Sequence, residues 1–313
     1  MEKRHRGFAL LLFLAAVLFV TFPLAAQQAG SEPTIPITTV VTVLGPKYTP
    51  PPAVTKDDIA VYMGKDKRPV ISWTPAQGDK AALELAVVID EADSSDLGLQ
   101  FGDLTSFIKS QPSTSGVALF YASNGTVKAA SQFSTDHEAV AKSLRLPFGR
   151  GAAYTSIYLS LMDLFKRWPV TGARREVLLI ADGIDRFRGD PFSPDVTSTI
   201  EQAQKAGIMI HTLYAGGVGR FSRNLFRVNL GQNNLSQITD ATGGESFFQG
   251  TQTPIAYAPF LQQLDVVLKN QYLLTFGGER GKKGKGELKS FRIRTEVGNV
   301  DISAPEKVFF PGP

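Results

Sequence analysis

Two short runs that are apolar at every position, Leu85-Ala86-Val87-Val88-Ile89 and Val177-Leu178-Leu179-Ile180, constrain this chain more than any other feature. A strand with one wet face alternates apolar with polar residues, so a run apolar throughout needs cover on both faces. A third run, Ile208–Tyr214, is nearly as apolar. Between and after them the period is helical: about Leu97–Ser110, His137–Leu144, Ser156–Trp168, Val196–Ala206 and Leu235–Thr242. A further helix carries Phe260, Leu261, Leu264, Val267 and Leu268 on one face, with Thr253 as its expected cap and Pro254 in its first turn. Strands alternating with helices predict an α/β fold, a doubly wound and mostly parallel sheet. Asn124-Gly125 joins the runs Gly116–Tyr121 and Thr126–Phe133 as a two-residue hairpin, which makes the second run an antiparallel edge strand.

The alternation occupies residues 80–270. The flanks read differently. Residues 27–79 hold strand-like runs at Ile37–Leu44, Asp58–Met63 and Pro69–Trp73, and residues 271–313 revert to period two, with Phe291, Ile293, Thr295 and Val297 on one face. Neither flank buries a sheet face alone, so a small accessory β-sandwich built from both is expected. Residues 1–26 have a basic start (Lys3, Arg4, Arg6), an apolar middle from Phe8 to Val20, then Pro23 and Leu24-Ala25-Ala26, the pattern of a signal peptide. The expected location is therefore periplasmic or extracellular, with a membrane as partner only if that segment stays uncleaved. The chain has no cysteine, which removes zinc ribbons, thiol catalysis and disulfides. A formal net charge of +4 over 313 residues is too slight to argue for a nucleic-acid partner.

Sites in open α/β sheets form at the carboxyl ends of strands. The first apolar run ends in Asp90-Glu91-Ala92-Asp93-Ser94, and the second in Ala181-Asp182-Gly183-Ile184-Asp185. A Gly-rich loop, Gly149–Tyr154, leads to Thr155 at a helix start. Hydroxyls and carboxylates without His or Cys suit a magnesium-like or calcium-like ion.

In the order of its elements and in these three loops, the segment from about Lys80 to Asn270 resembles a von Willebrand factor A (VWA) domain, whose metal-ion-dependent adhesion site (MIDAS) is written Asp-x-Ser-x-Ser, then a distant Thr, then a distant Asp. With Thr55–Tyr62, Ala241–Phe248 and Gln271–Phe276, the whole is similar to an exported VWA-related family common in acidobacteria. The resemblance implies Asp90, Ser94, Thr155 and Asp182 as the metal set, Mg2+ or another divalent cation as cofactor, and a protein partner whose Asp or Glu closes the shell. Ala92 stands where the first Ser belongs, and a methyl cannot ligate. Water fills such a gap, or Asp93 or Glu91 compensates. Two readings of the site stay open: a degenerate cation site, or a metal-free module in which Asp90 and Asp182 cap helices and loops. Asp185 and the Arg220 region are further binding candidates, the latter because Arg220, Arg223 and Arg227 stand among Phe221, Leu225 and Phe226.

The resemblance implies no enzyme. A metal-dependent hydrolase or phosphatase using Asp90 is the alternative from another class, although the second Asp such chemistry uses is replaced by Ala92. Asp90-Glu91-Ala92-Asp93 also spells a helicase signature, but no Gly-x-x-x-x-Gly-Lys-Ser/Thr loop exists to hold the phosphates. His211, inside an apolar run, reads as a core histidine.

Overall fold

The computed structural model describes residues 34–149, 156–188, 193–247, 250, 252–281 and 284–312. The signal-like segment and Thr155 lie outside them. In chain order the elements are β1 (Ile35–Leu44), β2 (Ile59–Met63), β3 (Asp66–Arg68), β4 (Val70–Pro75), β5 (Leu83–Asp90), α1 (Phe101–Lys109), β6 (Ser115–Ser123), β7 (Thr126–Ser134), α2 (His137–Lys142), α3 (Ile157–Arg167), β8 (Arg174–Ala181), α4 (Pro194–Ala206), β9 (Ile208–Tyr214), α5 (Leu225–Thr242), β10 (Ser246–Phe247), α6 (Ala258–Lys269), β11 (Gln271–Gly278), β12 (Glu287–Ser290), β13 (Arg292–Thr295), β14 (Asp301–Ser303) and β15 (Lys307–Phe310).

The fully apolar runs become the middle of a six-stranded sheet in the order β10-β9-β8-β5-β6-β7. All pairs are parallel except β6 with β7, where Asn124 and Gly125 both take positive φ in the tight turn. Every residue of β5 is buried. Alternate side chains serve opposite layers: Ala86 and Val88 face α3, α4 and α5, while Leu85, Val87 and Ile89 face α1 and α6. The mixed α/β sheet expected from the sequence is thus the core of the molecule.

Three helix starts differ from the sequence reading, the first because residues 95–100 form a 3-10 turn, so that α1 begins at Phe101 rather than Leu97. The helix expected at Leu235 starts at Leu225, where Asn224 caps it by accepting the Arg227 N–H at 3.3 Å. Gly231 and the polar Gln232-Asn233-Asn234 hide its first half from a propensity reading. Thr253 does not cap α6. Its hydroxyl accepts the Gly216 N–H at 2.8 Å, and Asp103 on α1 instead accepts the N–H groups of Tyr257 and Ala258 at 2.9 and 2.8 Å. The cap comes from another element, which spacing along the chain does not reveal.

The flanks form small antiparallel sheets: β14-β1-β11-β4, β13-β2-β3 and β12-β15. Each draws on both ends of the described chain except where β2 and β3 pair as neighbours and β12 pairs with β15. Their shared core contains Val41, Val61, Leu274, Phe276, Phe291 and Phe310. A buried polar row joins this part to the central sheet. Arg174 of β8 donates to the Gln271 side chain and to Ala81 O, and His211 Nε2 donates to Glu176 at 2.8 Å while its Nδ1 accepts the Glu245 N–H. His211 is a core histidine, as the sequence suggested.

Phe276 is completely buried, stacked on Phe291 at 5.5 Å and edge-on to Phe310 at 6.3 Å between centroids. Phe276→Ala is expected to cost about 3–5 kcal/mol, measured as a lower urea midpoint.

Candidate functional site

β5 leads through α1 to β6 on one side, and β8 leads through α4 to β9 on the other, so the adjacent carboxyl ends of β5 and β8 frame the crevice of the sheet. Asp90 ends β5 and Asp182 follows β8. Each begins its loop in the same way: Asp90 Oδ1 accepts the Ala92 N–H, and Asp182 Oδ1 the Ile184 N–H, both at 2.9 Å. The loop after β9 closes over the first of these. Ser94 N–H donates to Gly216 O and Val218 N–H to Ala92 O, both at 2.9 Å, with Asp93 and Gly217 paired antiparallel between them.

Arg186, four residues past Asp182, folds back into the crevice. Its Nη1 donates to Asp182 Oδ1 at 3.0 Å and its Nη2 to Asp182 Oδ2, a two-pronged pairing. Nη1 also lies 3.9 Å from Asp90 Oδ2, and Nη2 donates to Ser222 Oγ at 3.1 Å. The residues involved are almost dry, with Asp90 2%, Asp182 1% and Arg186 5% exposed. Burial opposes the charge on Arg186, but Asp182 and Asp90 more than offset it, and its pKa stands above the ordinary arginine value. Burial pushes Asp90 up to about 6, with Arg186 pulling against it.

Asp93 is fully buried, and among the described residues neither carboxylate oxygen has a hydrogen-bond partner. Burial first, then the charges of Asp90 and Asp182, hold its pKa well above the usual carboxylate range.

Three glycines make this packing achievable. A Cβ on Gly217 would run into the Asp182 carboxylate, the Arg186 guanidinium and Ser222 Oγ. Gly183, at φ +72°, and Gly231 of α5 let the Asp182 loop and the helix meet backbone to backbone. Tyr158 of α3 fixes the same loop by donating to Gly183 O.

Of the residues singled out in the sequence, Asp90, Asp93 and Asp182 converge. Ser94 is used locally, its Oγ accepting the Asp96 N–H at 3.2 Å. Asp185 serves its own turn and α4: Oδ1 accepts the Phe187 N–H at 3.0 Å and Oδ2 the Ser193 hydroxyl at 2.6 Å. Arg220 is exposed, its guanidinium 5.0 Å from the Phe221 ring centroid. Thr155 lies outside the described residues. Glu91 does not turn into the crevice, because it pairs with Arg145 and accepts the Phe148 N–H at 2.7 Å. Arg186 and Ser222 were not anticipated. The only sequence signal for Arg186 is its place four residues after Asp182, and Ser222 lies in the Arg-rich stretch without marking itself.

Among the described residues nine large apolar side chains are exposed, and seven of them, Leu99, Leu146, Phe148, Phe187, Leu225, Phe226 and Ile255, lie on segments that leave the strand ends or pack against them. Glu91 ties the Phe148 segment to the end of β5, and Gln100 donates to Ile255 O at 3.0 Å.

No protein-family model matches the chain, and no curated protein matches it either. Solved structures do. An aerotolerance-related membrane protein from Bacteroides fragilis is 12% identical with a TM-score of 0.45, over 60% of this chain and 98% of that one. The conserved hypothetical protein BatB from Bacteroides thetaiotaomicron is 13% identical with a TM-score of 0.43, over 60% and 100%. A von Willebrand factor type A protein from Catenulispora acidiphila is 12% identical with a TM-score of 0.39, over 91% and 75%. The mostly parallel sheet, its antiparallel edge strand and the acidic loops at the carboxyl ends are those expected above. The likeness concerns the fold and nothing finer.

The crevice does not suit the divalent ion that the VWA resemblance implies. Both Asp182 oxygens are engaged by Arg186, Asp90 Oδ1 is engaged by the backbone, and Ala92 offers a methyl. Among the described residues no group of three His, Cys, Asp or Glu is arranged to hold a metal. The positive charge among these carboxylates belongs to the protein.

Because Gly217 is pressed against the ion pair, Gly217→Ala is expected to destabilise the fold by about 1–3 kcal/mol through overpacking. Gly102→Ala on α1, where a Cβ meets nothing, is the control and leaves the urea midpoint equal or slightly higher.

Proposed function

We propose that this chain is an exported, non-catalytic protein-interaction module of VWA type whose partner docks on the apolar rim at the carboxyl ends of β5, β8 and β9. The observation that carries the reading is the position of the exposed apolar side chains. Phe148 is 73% exposed, Phe226 66% and Ile255 99%, and each stands on a segment tied to the strand ends: Phe148 through Glu91, Ile255 through Gln100, and Phe226 in the first turn of the helix that follows β9. Contiguous exposed apolar side chains rimmed by polar groups are what protein docking surfaces present. Arg220 and Arg227, the latter 4.6 Å from the centroid of Phe221, supply the polar edge.

The non-catalytic part rests on access. Asp90, the one nucleophile candidate, is 2% exposed and faces Arg186, so it is not presented to a substrate. Export rests on the signal-like pattern of residues 1–26. Among the described residues no helix is long and apolar enough to cross a membrane.

Combining Phe148→Ser with Phe226→Ser is expected to leave the melting temperature near that of the parent, since both rings are exposed. It should weaken binding to a partner captured from an envelope fraction by about tenfold or more. Equal affinity of parent and double variant for the purified partner would remove the rim from the reading.

A further inference from the structure

We infer that Arg186 is the resident cation of this crevice, a guanidinium standing where a VWA-type site would take a divalent ion, and that the module therefore binds its partner independently of metal. The inference deepens the reading above and depends on it only for its last clause. Buried carboxylates need a compensating positive charge. Arg186 supplies it to Asp182 through two hydrogen bonds and to Asp90 at 3.9 Å. A divalent ion bound to the same oxygens would have to share them with the guanidinium and stand against its charge.

The arrangement is built, not incidental. Ser222 donates to Asp182 Oδ2 at 3.2 Å and accepts from Arg186, so the pair is braced from the loop after β9. Gly217 leaves no side chain in its path, and Ala92 withholds the hydroxyl that a metal would use.

Asp93 supplies an independent observation. It is a completely buried carboxyl whose two oxygens have no hydrogen-bond partner among the described residues. Without Arg186, three carboxyl groups would face one dry crevice with no cation among them, which is the donor chemistry of a hard divalent ion. A guanidinium whose Nη1 and Nη2 are both engaged by Asp182, Ile184 and Ser222 also offers no metal coordination position to a partner's Asp or Glu. Recognition then falls to apolar contact at the rim.

The test is a calorimetric titration of the purified full chain with MgCl2, CaCl2 and MnCl2, together with thermal melts in each ion and in EDTA. The wild type is expected to give no saturable heat and the same melting temperature in every buffer. Arg186→Ala, and Arg186→Gln where bulk is needed for folding, are expected to gain saturable binding and a rise of a few degrees in melting temperature with the ion. Adding Ala92→Ser to either should tighten that binding further. Saturable binding by the wild type that disappears in Asp182→Asn overturns the inference, as do folded Arg186 variants that remain as silent as the wild type. Should both variants fold only when ion is added, that rescue counts as the gain. Should neither fold at all, the wild-type melts decide: an ion-dependent shift overturns the inference and none supports it. No partner is used, so a negative result here leaves rim docking standing, and failure of the rim variants leaves the role of Arg186 untouched.

Discussion

The burial of β5 on both faces organises the molecule. A strand in which each of eight residues is buried has to be flanked in the sheet by other strands and covered above and below by helices. The helices α3, α4 and α5 close one face, and α1 and α6 the other. With both faces sealed, the polar ends of β5 and β8 have one outlet, the crevice at their carboxyl edge. Carboxylates delivered there are stripped of water by the same packing that makes the strand stable. Burial pushes the pKa of Asp90 up to about 6 and holds that of Asp93 above the usual carboxylate range for that reason.

Two devices answer that electrostatic strain. Arg186 brings a compensating charge on a side chain whose guanidinium is matched in shape to a carboxylate. The backbone contributes the rest: N–H groups of Ala92 and Ile184 take one oxygen from each aspartate, so part of each charge is already dispersed. The glycines at 183, 217 and 231 are the steric condition for both. They allow the loops and α5 to approach until hydrogen bonds replace water. A buried ion pair of this kind gives little net stability against an apolar alternative, but removing one partner is costly. It therefore fixes the loop geometry more than it stabilises the fold.

The sheet was legible because uninterrupted apolar runs and an Asn-Gly turn report local physics. β5, β8 and the β6–β7 hairpin need nothing beyond their own sequence to declare themselves. The full length of α5 was not legible, because Gly231 and its polar neighbours lower local helix propensity for the sake of a contact with the Asp182 loop. The true cap of α6 was hidden because Asp103 lies far away in the chain. At the site, Asp90, Asp93 and Asp182 could be named from strand-end logic. The direction of Arg186 could not, since a turn that folds a side chain back over four residues depends on loop dihedrals that composition does not encode. Ala92 was the one residue that announced a departure from the expected donor set. Its methyl is the counterpart of the guanidinium: where the protein supplies the cation, the hydroxyl ligand has no function to keep.

A closed crevice changes where recognition energy has to come from. Asp90, Asp93, Asp182 and Arg186 are each 5% exposed or less, so a docking surface cannot reach their charges without breaking the pair. By contrast, burying an exposed Phe or Leu contributes roughly 1.5–3 kcal/mol. A few of the rim side chains would therefore outweigh any contact made with the compensated ions beneath them. The acidic cluster then acts from below. It holds the Phe187 loop through Arg186, and Glu91 holds the Phe148 segment through its backbone, so the apolar groups are presented by rigid supports. Preorganisation of this kind lowers the entropy lost on association, which, under the proposed docking at the rim, gives the buried charges a role although they touch no partner.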